Sequence, residues 1–336
     1  MTSSSVTART PVRVGDAGGW TDTWFARTGL VCSLAAGPAV EVTAHRIDGP
    51  PGQVTLDVAT YGDRYTFTLD RPPGRHPLLE ATLVRWAPRN LALAVDTAST
   101  VPPGSGLGTS ASVVVALVAA LGALGGETPD PAVFARRAHL VETIELGWQS
   151  GVQDQLAAAH GGALLIEIDP YPSTTVARLE VPPAAWRALG DQLVTVYLGR
   201  PHRSSAVHEQ VIAGLGDGGG ARLDVLRAAA ADAAEALVAG DLASYGAALT
   251  DATEGQRALH PALVSAEADA VWSLAQARGA LGWKVNGAGG AGGTVTVLTA
   301  DAESASALRA AVLAERRGWH PLDLRPAAKG LTLAPG

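Results

Sequence analysis

One stretch constrains the chain more than any other. A Gly/Pro loop, Val101–Gly108, runs directly into Thr109–Leu124, a segment without a charged side chain. That segment is Ala, Val and Leu almost throughout, so a helix there has no polar face and must be buried on most sides. Its longest apolar run, Ala111–Leu124, includes Ser112 and Gly122 and is too short to cross a bilayer.

The chain before it reads as antiparallel strands. β-Branched or alternating runs occur at Pro11–Val14, Leu30–Leu34, Val40–Arg46, Val54–Val58 and Tyr65–Leu69, separated by turn clusters such as Asp48-Gly49-Pro50-Pro51-Gly52. Residues 1–9 are rich in Ser and Thr and read as frayed. A helix over Leu78–Ala87 and a strand over Leu91–Asp96 lead into the loop, and a second helix is expected over Pro131–Leu146 before a strand at Ala163–Ile168. The second half opens with a strand at Leu193–Leu198. Helices follow at Ser205–Leu215, Leu223–Ala239, Leu242–Leu259 and Ala262–Ala277. A glycine-rich loop, Gly287–Gly293, separates strands at Gly282–Val285 and Thr294–Thr299, and a helix over Ala302–Arg316 and a strand near Leu322–Arg325 close the chain. The pattern predicts an α+β fold with a sandwich-type second domain. The expected domains are 10–180 and 190–330.

Composition narrows the function. With 25 Lys+Arg against 32 Asp+Glu, the net charge is −7, which argues against a broad nucleic-acid surface. The 47% hydrophobic and 17% charged content is that of a globular protein. A single cysteine, Cys32, excludes an internal disulfide framework and a Cys-based zinc site. The N-terminus has no apolar core of signal-peptide length, so no membrane role and a cytoplasmic location are expected. Only Lys284 and Lys329 are lysines; every other Lys/Arg position is arginine.

Four segments carry candidate chemistry. In Pro102-Pro103-Gly104-Ser105-Gly106-Leu107-Gly108-Thr109-Ser110-Ala111-Ser112, glycines let the backbone approach a ligand. The helix that follows offers unpaired N–H groups and the positive end of its dipole, an anion site suited to phosphates. Thr109, Ser110 and Ser112 add hydroxyls for phosphate or Mg²⁺. Alone, the segment also fits a tight loop with a helix cap. The second, Lys284-Val285-Asn286-Gly287-Ala288-Gly289-Gly290-Ala291-Gly292-Gly293, fits a turn equally well. The third pairs Glu142 with the turn Ser150-Gly151-Val152-Gln153-Asp154-Gln155, where one acid can accept a hydroxyl proton and the other can ligate a metal; either alone also fits a solvated or capping acid. The fourth, Arg13-Val14-Gly15-Asp16-Ala17-Gly18-Gly19-Trp20-Thr21-Asp22-Thr23, has the small residues, aromatic ring and hydroxyl-binding groups that suit a sugar, and equally fits a strand and capped turn.

Taken in this order, the segments resemble the GHMP kinase superfamily, which includes galactokinase, homoserine kinase and mevalonate kinase. The resemblance spans nearly the whole chain. PPGSGLGTSAS resembles the family's phosphate-binding signature and KVNGAGGAGG its C-terminal glycine motif. RVGDAGGWTD with SGVQDQLAAAHGG is most similar to the branch of heptose 7-phosphate kinase and fucokinase. The resemblance implies a ribosomal protein S5 domain 2-like N-terminal unit and a ferredoxin-like α/β sandwich at the C-terminus. It implies ATP- and Mg²⁺-dependent phosphorylation of a hydroxyl, anomeric in a heptose 7-phosphate or related sugar.

The resemblance also assigns roles. Pro103, Gly104, Ser105, Gly106, Leu107 and Gly108 would wrap the ATP phosphates, with Thr109 and Ser112 contacting phosphate and Gly289 and Gly290 completing the cofactor site. Ser110 and Glu142 would hold Mg²⁺. Asp154 would be the base, and Arg13 the arginine that keeps it ionised, as a neighbouring cation does. Gly19, Trp20, Thr21, Asp22 and Gln153 would contact the sugar, with His202 and Arg203 positioned for a sugar phosphate or, equally, a solvated basic turn. Galactokinases carry an acid–His pair where this chain has Gly19-Trp20, so galactose is not favoured. The alternatives are an unphosphorylated sugar, a non-sugar alcohol, or a GHMP fold that binds sugar or nucleotide without catalysis. The expected state is a monomer or homodimer.

Overall fold

The computed structural model describes residues 4–70, 74–128, 130–201, 205–215, 220–315 and 317–336. β1 (Ser5–Ala17) and β2 (Gly29–Ile47) form the antiparallel spine of a nine-stranded sheet. Residues Ser5–Arg9 are therefore not frayed, because β2 pairs with them on one side and the last strand of the chain on the other. The expected strands Leu30–Leu34 and Val40–Arg46 are parts of β2. Gly37-Pro38 does not end the strand, because a register shift between Thr10 and Val12 absorbs the extra residues as a bulge.

β3 (Gln53–Val58) and β4 (Asp63–Thr68) make a hairpin, followed by α1 (Pro77–Trp86). β5 (Ala92–Ser99) inserts between β2 and β3, antiparallel to the first and parallel to the second. Then comes α2 (Thr109–Leu124), apolar on all sides as expected. Leu117, Ala120, Leu121 and Leu124 join the core under β1 and β2, while Val114, Val115, Val118 and Ala119 join a second core with the following helices. Serving two cores is what makes a polar face impossible.

α3 (Pro131–Leu140) ends earlier than expected, and its continuation, Val141–Glu145, widens into a π turn that carries Glu142. α4 (Gln153–His160) replaces the turn expected around Asp154. β6 (Ala163–Ile168) pairs with the first part of β2, and β7 (Thr174–Arg178) with β6.

α5 (Pro183–Gln192) leads to β8 (Leu193–Tyr197). α6 (Ser205–Leu215), α7 (Gly220–Ala239), α8 (Leu242–Leu259) and α9 (Ala266–Gln276) follow. β9 (Ala280–Val285), β10 (Thr294–Thr299), α10 (Ala302–Ala314) and β11 (His320–Leu322) complete an antiparallel sheet of order β11-β8-β10-β9. α9 and α10 pack on this sheet around Trp283, Val297 and Leu308. α8 packs between α7, β9 and β1, so it joins the two sheets. β12 (Arg325–Pro326) and β13 (Thr332–Pro335) return to the first sheet beside β2 and β1. The result is a two-domain fold of mixed α and β content. Among the described residues no helix is long and apolar enough to cross a membrane.

Candidate active site

Two cavities, of about 330 and about 720 Å³, lie side by side. Arg13, Ser110, Trp148, Asp154, Gly287 and Ala288 line both.

The larger cavity is floored by the first glycine loop. Pro103, Gly104, Ser105, Gly106, Gly108, Thr109 and Ser110 all line it. Gly108 caps α2 in the left-handed region (φ 73°), and no side chain caps the helix. The positive end of the α2 dipole is thereby left to the cavity. A Cβ on Gly108 would also lie 2.9 Å from the Asp154 carboxyl carbon. The loop thus brings helix terminus and carboxylate together. Tyr61, His76, Pro77 and Leu78 also line this cavity and not the smaller one.

Arg13 sits at the centre of the junction, 3% exposed. Its Nε donates to Asp154 Oδ1 at 2.8 Å, and its Nη1 donates to Gly106 O at 2.7 Å and Asp16 Oδ1 at 3.2 Å. Burial opposes its charge, but Asp154 and Asp16 outweigh that and hold the guanidinium above its usual range. Asp16 is fully buried and was not expected in the site. Alternation along β1 sends residues 13 and 16 to opposite faces. A register shift between Val14 and Ala17, with Gly15 left-handed at φ 59°, turns them to the same side.

The smaller cavity is lined by Trp20, Asp22, Trp24, Phe25, Trp148 and Gln153, with Glu142 and Ser150 on its wall. Asp22 Oδ2 accepts the backbone N–H of Gln153 at 3.1 Å, which fixes it beside α4. Burial pushes Asp22 up to about 6; the Gln153 N–H works against this and the Asp154 charge adds to it.

Glu142 Oε2 accepts from Ser150 Oγ at 2.5 Å and Gln155 Nε2 at 2.8 Å. Its Oε1 is buried without a hydrogen-bond partner. Burial pushes this carboxyl up to about 7, with the Ser150 bond opposing and Asp154 adding. Glu142 and Ser110 line the same cavity, and a carboxyl with an unpartnered oxygen there fits a hard cation. Among the described residues no group of three or more Asp, Glu, His or Cys side chains is placed to hold a metal ion, so such a cation would draw its remaining ligands from water and phosphate, the habit of Mg²⁺.

Several expected contacts lie elsewhere. Ser112 Oγ donates to Pro11 O at 2.8 Å and to Gly108 O, tying α2 to β1 out of reach of the cavity. Leu107 is fully buried, and its carbonyl accepts the Arg13 N–H. Thr21 Oγ1 donates to Gly18 O and accepts from Leu30 N, closing a turn. Gly19 lies against Asp16 and Gln153 and lines neither cavity. Gly289 and Gly290 pack against Leu263, and their loop neighbours Gly287 and Ala288 line the cavities instead. His202 and Arg203 lie outside the described residues. Trp148, Ser150, Gln155 and Gly287 were not singled out beforehand; for Ser150 and Gln155 the only signal was closeness to Asp154.

Family models support this architecture. Residues 78–162 match the GHMP kinases N terminal domain and residues 233–316 match the GHMP kinases C terminal domain. The chain is 25% identical over 304 residues to D-glycero-alpha-D-manno-heptose 7-phosphate kinase of Campylobacter jejuni, covering 86% of this chain and 88% of that one. In fold it is similar to D-glycero-D-manno-heptose 1-phosphate kinase of Bacteroides thetaiotaomicron, with a TM-score of 0.73, 19% identity and 98% of each chain covered. It is also similar to Lactococcus lactis galactokinase solved with galactose, with a TM-score of 0.74, 18% identity, and 98% and 95% of the two chains covered. The two domain matches, in order and together spanning half of the sequence, place this chain in the GHMP kinase superfamily of ATP-using phosphotransferases.

Proposed function

We propose that the chain transfers the γ-phosphoryl group of ATP to a hydroxyl, anomeric in a heptose 7-phosphate or a related sugar. The observation that carries this reading is the place of Asp154, at the seam where the loop-floored cavity meets the Asp22-lined one. In this reading residues 10–180 hold donor and acceptor, and residues 190–330 supply the second glycine loop.

The donor occupies the larger cavity, its phosphates against the first glycine loop and the N-terminus of α2, and its base toward Tyr61 and His76. The acceptor occupies the smaller cavity. Asp22 accepts its hydroxyls, and Trp20, Trp24 and Trp148 offer ring faces to its carbons. Arg13 engages Asp154 Oδ1, which leaves Oδ2 to accept the proton of the reacting hydroxyl. The acceptor oxygen then bonds to the γ-phosphorus, the bridge to the β-phosphate breaks, and ADP leaves with the bridging oxygen. Alignment of the two oxygens by Asp154 and the loop contributes more to the rate than proton removal, because the transition state is loose. Ser110 and Glu142 would hold Mg²⁺, which when bound offsets charge on the transferring phosphate. The C. jejuni relative named above and the aromatic wall support a sugar over a simple alcohol.

The test is ADP release measured over heptose 7-phosphate, unphosphorylated heptoses and hexoses, and non-sugar alcohols. Sugar-dependent release above the ATP hydrolysis baseline is expected. Release only with a non-sugar alcohol, or with none of them, overturns the reading.

A further inference from the structure

Lys284 is one of two lysines in a chain that otherwise uses arginine, and it is 2% exposed on β9. No carboxylate forms an ion pair with it among the described residues. Its Nζ donates instead to Gln256 Oε1 at 2.7 Å and to Val285 O. A buried ammonium needs such acceptors, and arginine's planar fork could not place one compact charge between them. Burial lowers Lys284 to about 8, with Asp16 opposing, so at neutral pH it keeps the proton that both bonds require.

Gln256, on α8, is 1% exposed. A buried amide can present either end to its surroundings. With its oxygen committed to Lys284, its nitrogen faces the second glycine loop, and Nε2 donates to Gly287 O at 3.1 Å. Gly287 is left-handed (φ 65°), and a Cβ there would sit 2.7 Å from Gly106 O. That same Gly106 oxygen accepts from Arg13 Nη1. The two glycine loops therefore touch at Gly287 and Gly106, one residue from the group that holds Asp154. The Gly287 N–H also points at Asp16 Oδ1, 3.4 Å away.

We propose that Lys284 and Gln256 are positioning residues: Lys284 sets the direction of the Gln256 amide, and that amide holds Gly287 against Gly106, fixing the register of the two loops. The link to turnover rests on the phosphoryl-transfer reading above; the link to loop register does not.

Gln256→Glu separates this role from simple core filling. Its carboxylate accepts from Lys284 at least as well, so stability is retained, but it presents an oxygen to the Gly287 carbonyl and releases the loop. The expected result is a parental unfolding midpoint with affinity for a fluorescent ATP analogue about tenfold weaker and kcat lowered about 10- to 100-fold. Lys284→Met frees the amide to turn. Because Lys284 acts through Gln256, the double variant Lys284→Met with Gln256→Met should lose no more kcat than Gln256→Met alone. Parental nucleotide affinity in Gln256→Glu, a parallel loss of stability and binding, or additive losses in the double variant would each overturn the proposal. If the parent itself shows no sugar turnover, the function reading fails, while the nucleotide affinities still decide the loop role.

Discussion

Arg13 Nε donates to Asp154 Oδ1 across 2.8 Å, tying the middle of β1 to the first turn of α4. Asp154→Asn keeps an oxygen for Arg13 and nearly the same volume, but its amide cannot take a proton. Turnover should fall by about 10²- to 10⁴-fold with nucleotide affinity unchanged. Arg13→Met leaves Asp16 and Asp154 without their shared cation, and should cost about 3–5 kcal/mol of stability besides activity. Single-turnover kinetics, nucleotide calorimetry and urea unfolding check these outcomes. Near-parental turnover in Asp154→Asn removes the base assignment.

Ser110 and Ser112 should separate cleanly. Ser110 is exposed at the cavity, whereas Ser112 bonds to Pro11 O and is 1% exposed. Ser110→Ala should raise the Mg·ATP requirement, seen as a higher KM for Mg·ATP and for free Mg²⁺. Ser112→Ala should leave both unchanged and lower stability by about 1 kcal/mol, the loss of one buried hydrogen bond. The reverse pattern would exchange their roles.

That pair shows where sequence reading works and where it stops. Two residues on a helix are about 200° apart, so one of the two serines had to face inward. The burial of α2 was legible because its composition allows nothing else, but which serine faces the cavity depends on how the helix is rolled against β1. Glu142 and Asp154 were legible as acids of a shared site, yet not the π turn that aims one or the helix that carries the other. Asp16 was hidden by alternation, since only the bulge at Gly15 turns it toward Arg13. Gly287 and Gly289 are chemically identical; contact with Gly106 in one case and Leu263 in the other tells them apart.

Trp24 and Trp148 are each 47% exposed while lining the smaller cavity. Large half-exposed rings gain little for stability where they stand, but they gain contact area when a sugar ring covers them. Trp24 lines only the smaller cavity, whereas Trp148 lines both. Trp24→Ala should raise the KM for the acceptor about 3- to 10-fold and leave that for ATP alone. Trp148→Ala should raise both. Initial rates over both substrates check this, and an acceptor KM untouched by either change contradicts the stacking role.

Asp22 gives a pH signature. Burial raises its carboxyl from 3.8 to about 6. Between those values the folded chain keeps a proton that the unfolded chain has lost, so the stability it contributes is full below pH 3.8 and is gone as pH rises through 6. Asp22→Asn carries no such proton, and its side-chain oxygen can still accept the Gln153 N–H. Relative to the parent, the variant should therefore gain about 2 kcal/mol of stability on going from pH 4 to pH 7. Its activity should move the other way, because a neutral amide holds a sugar hydroxyl less strongly than a carboxylate does. Urea unfolding of both proteins at the two pH values, free of Mg²⁺, reads the first effect, and acceptor KM at pH 7 reads the second. A stability difference that does not change with pH would mean that Asp22 is already ionised in the folded chain near pH 4.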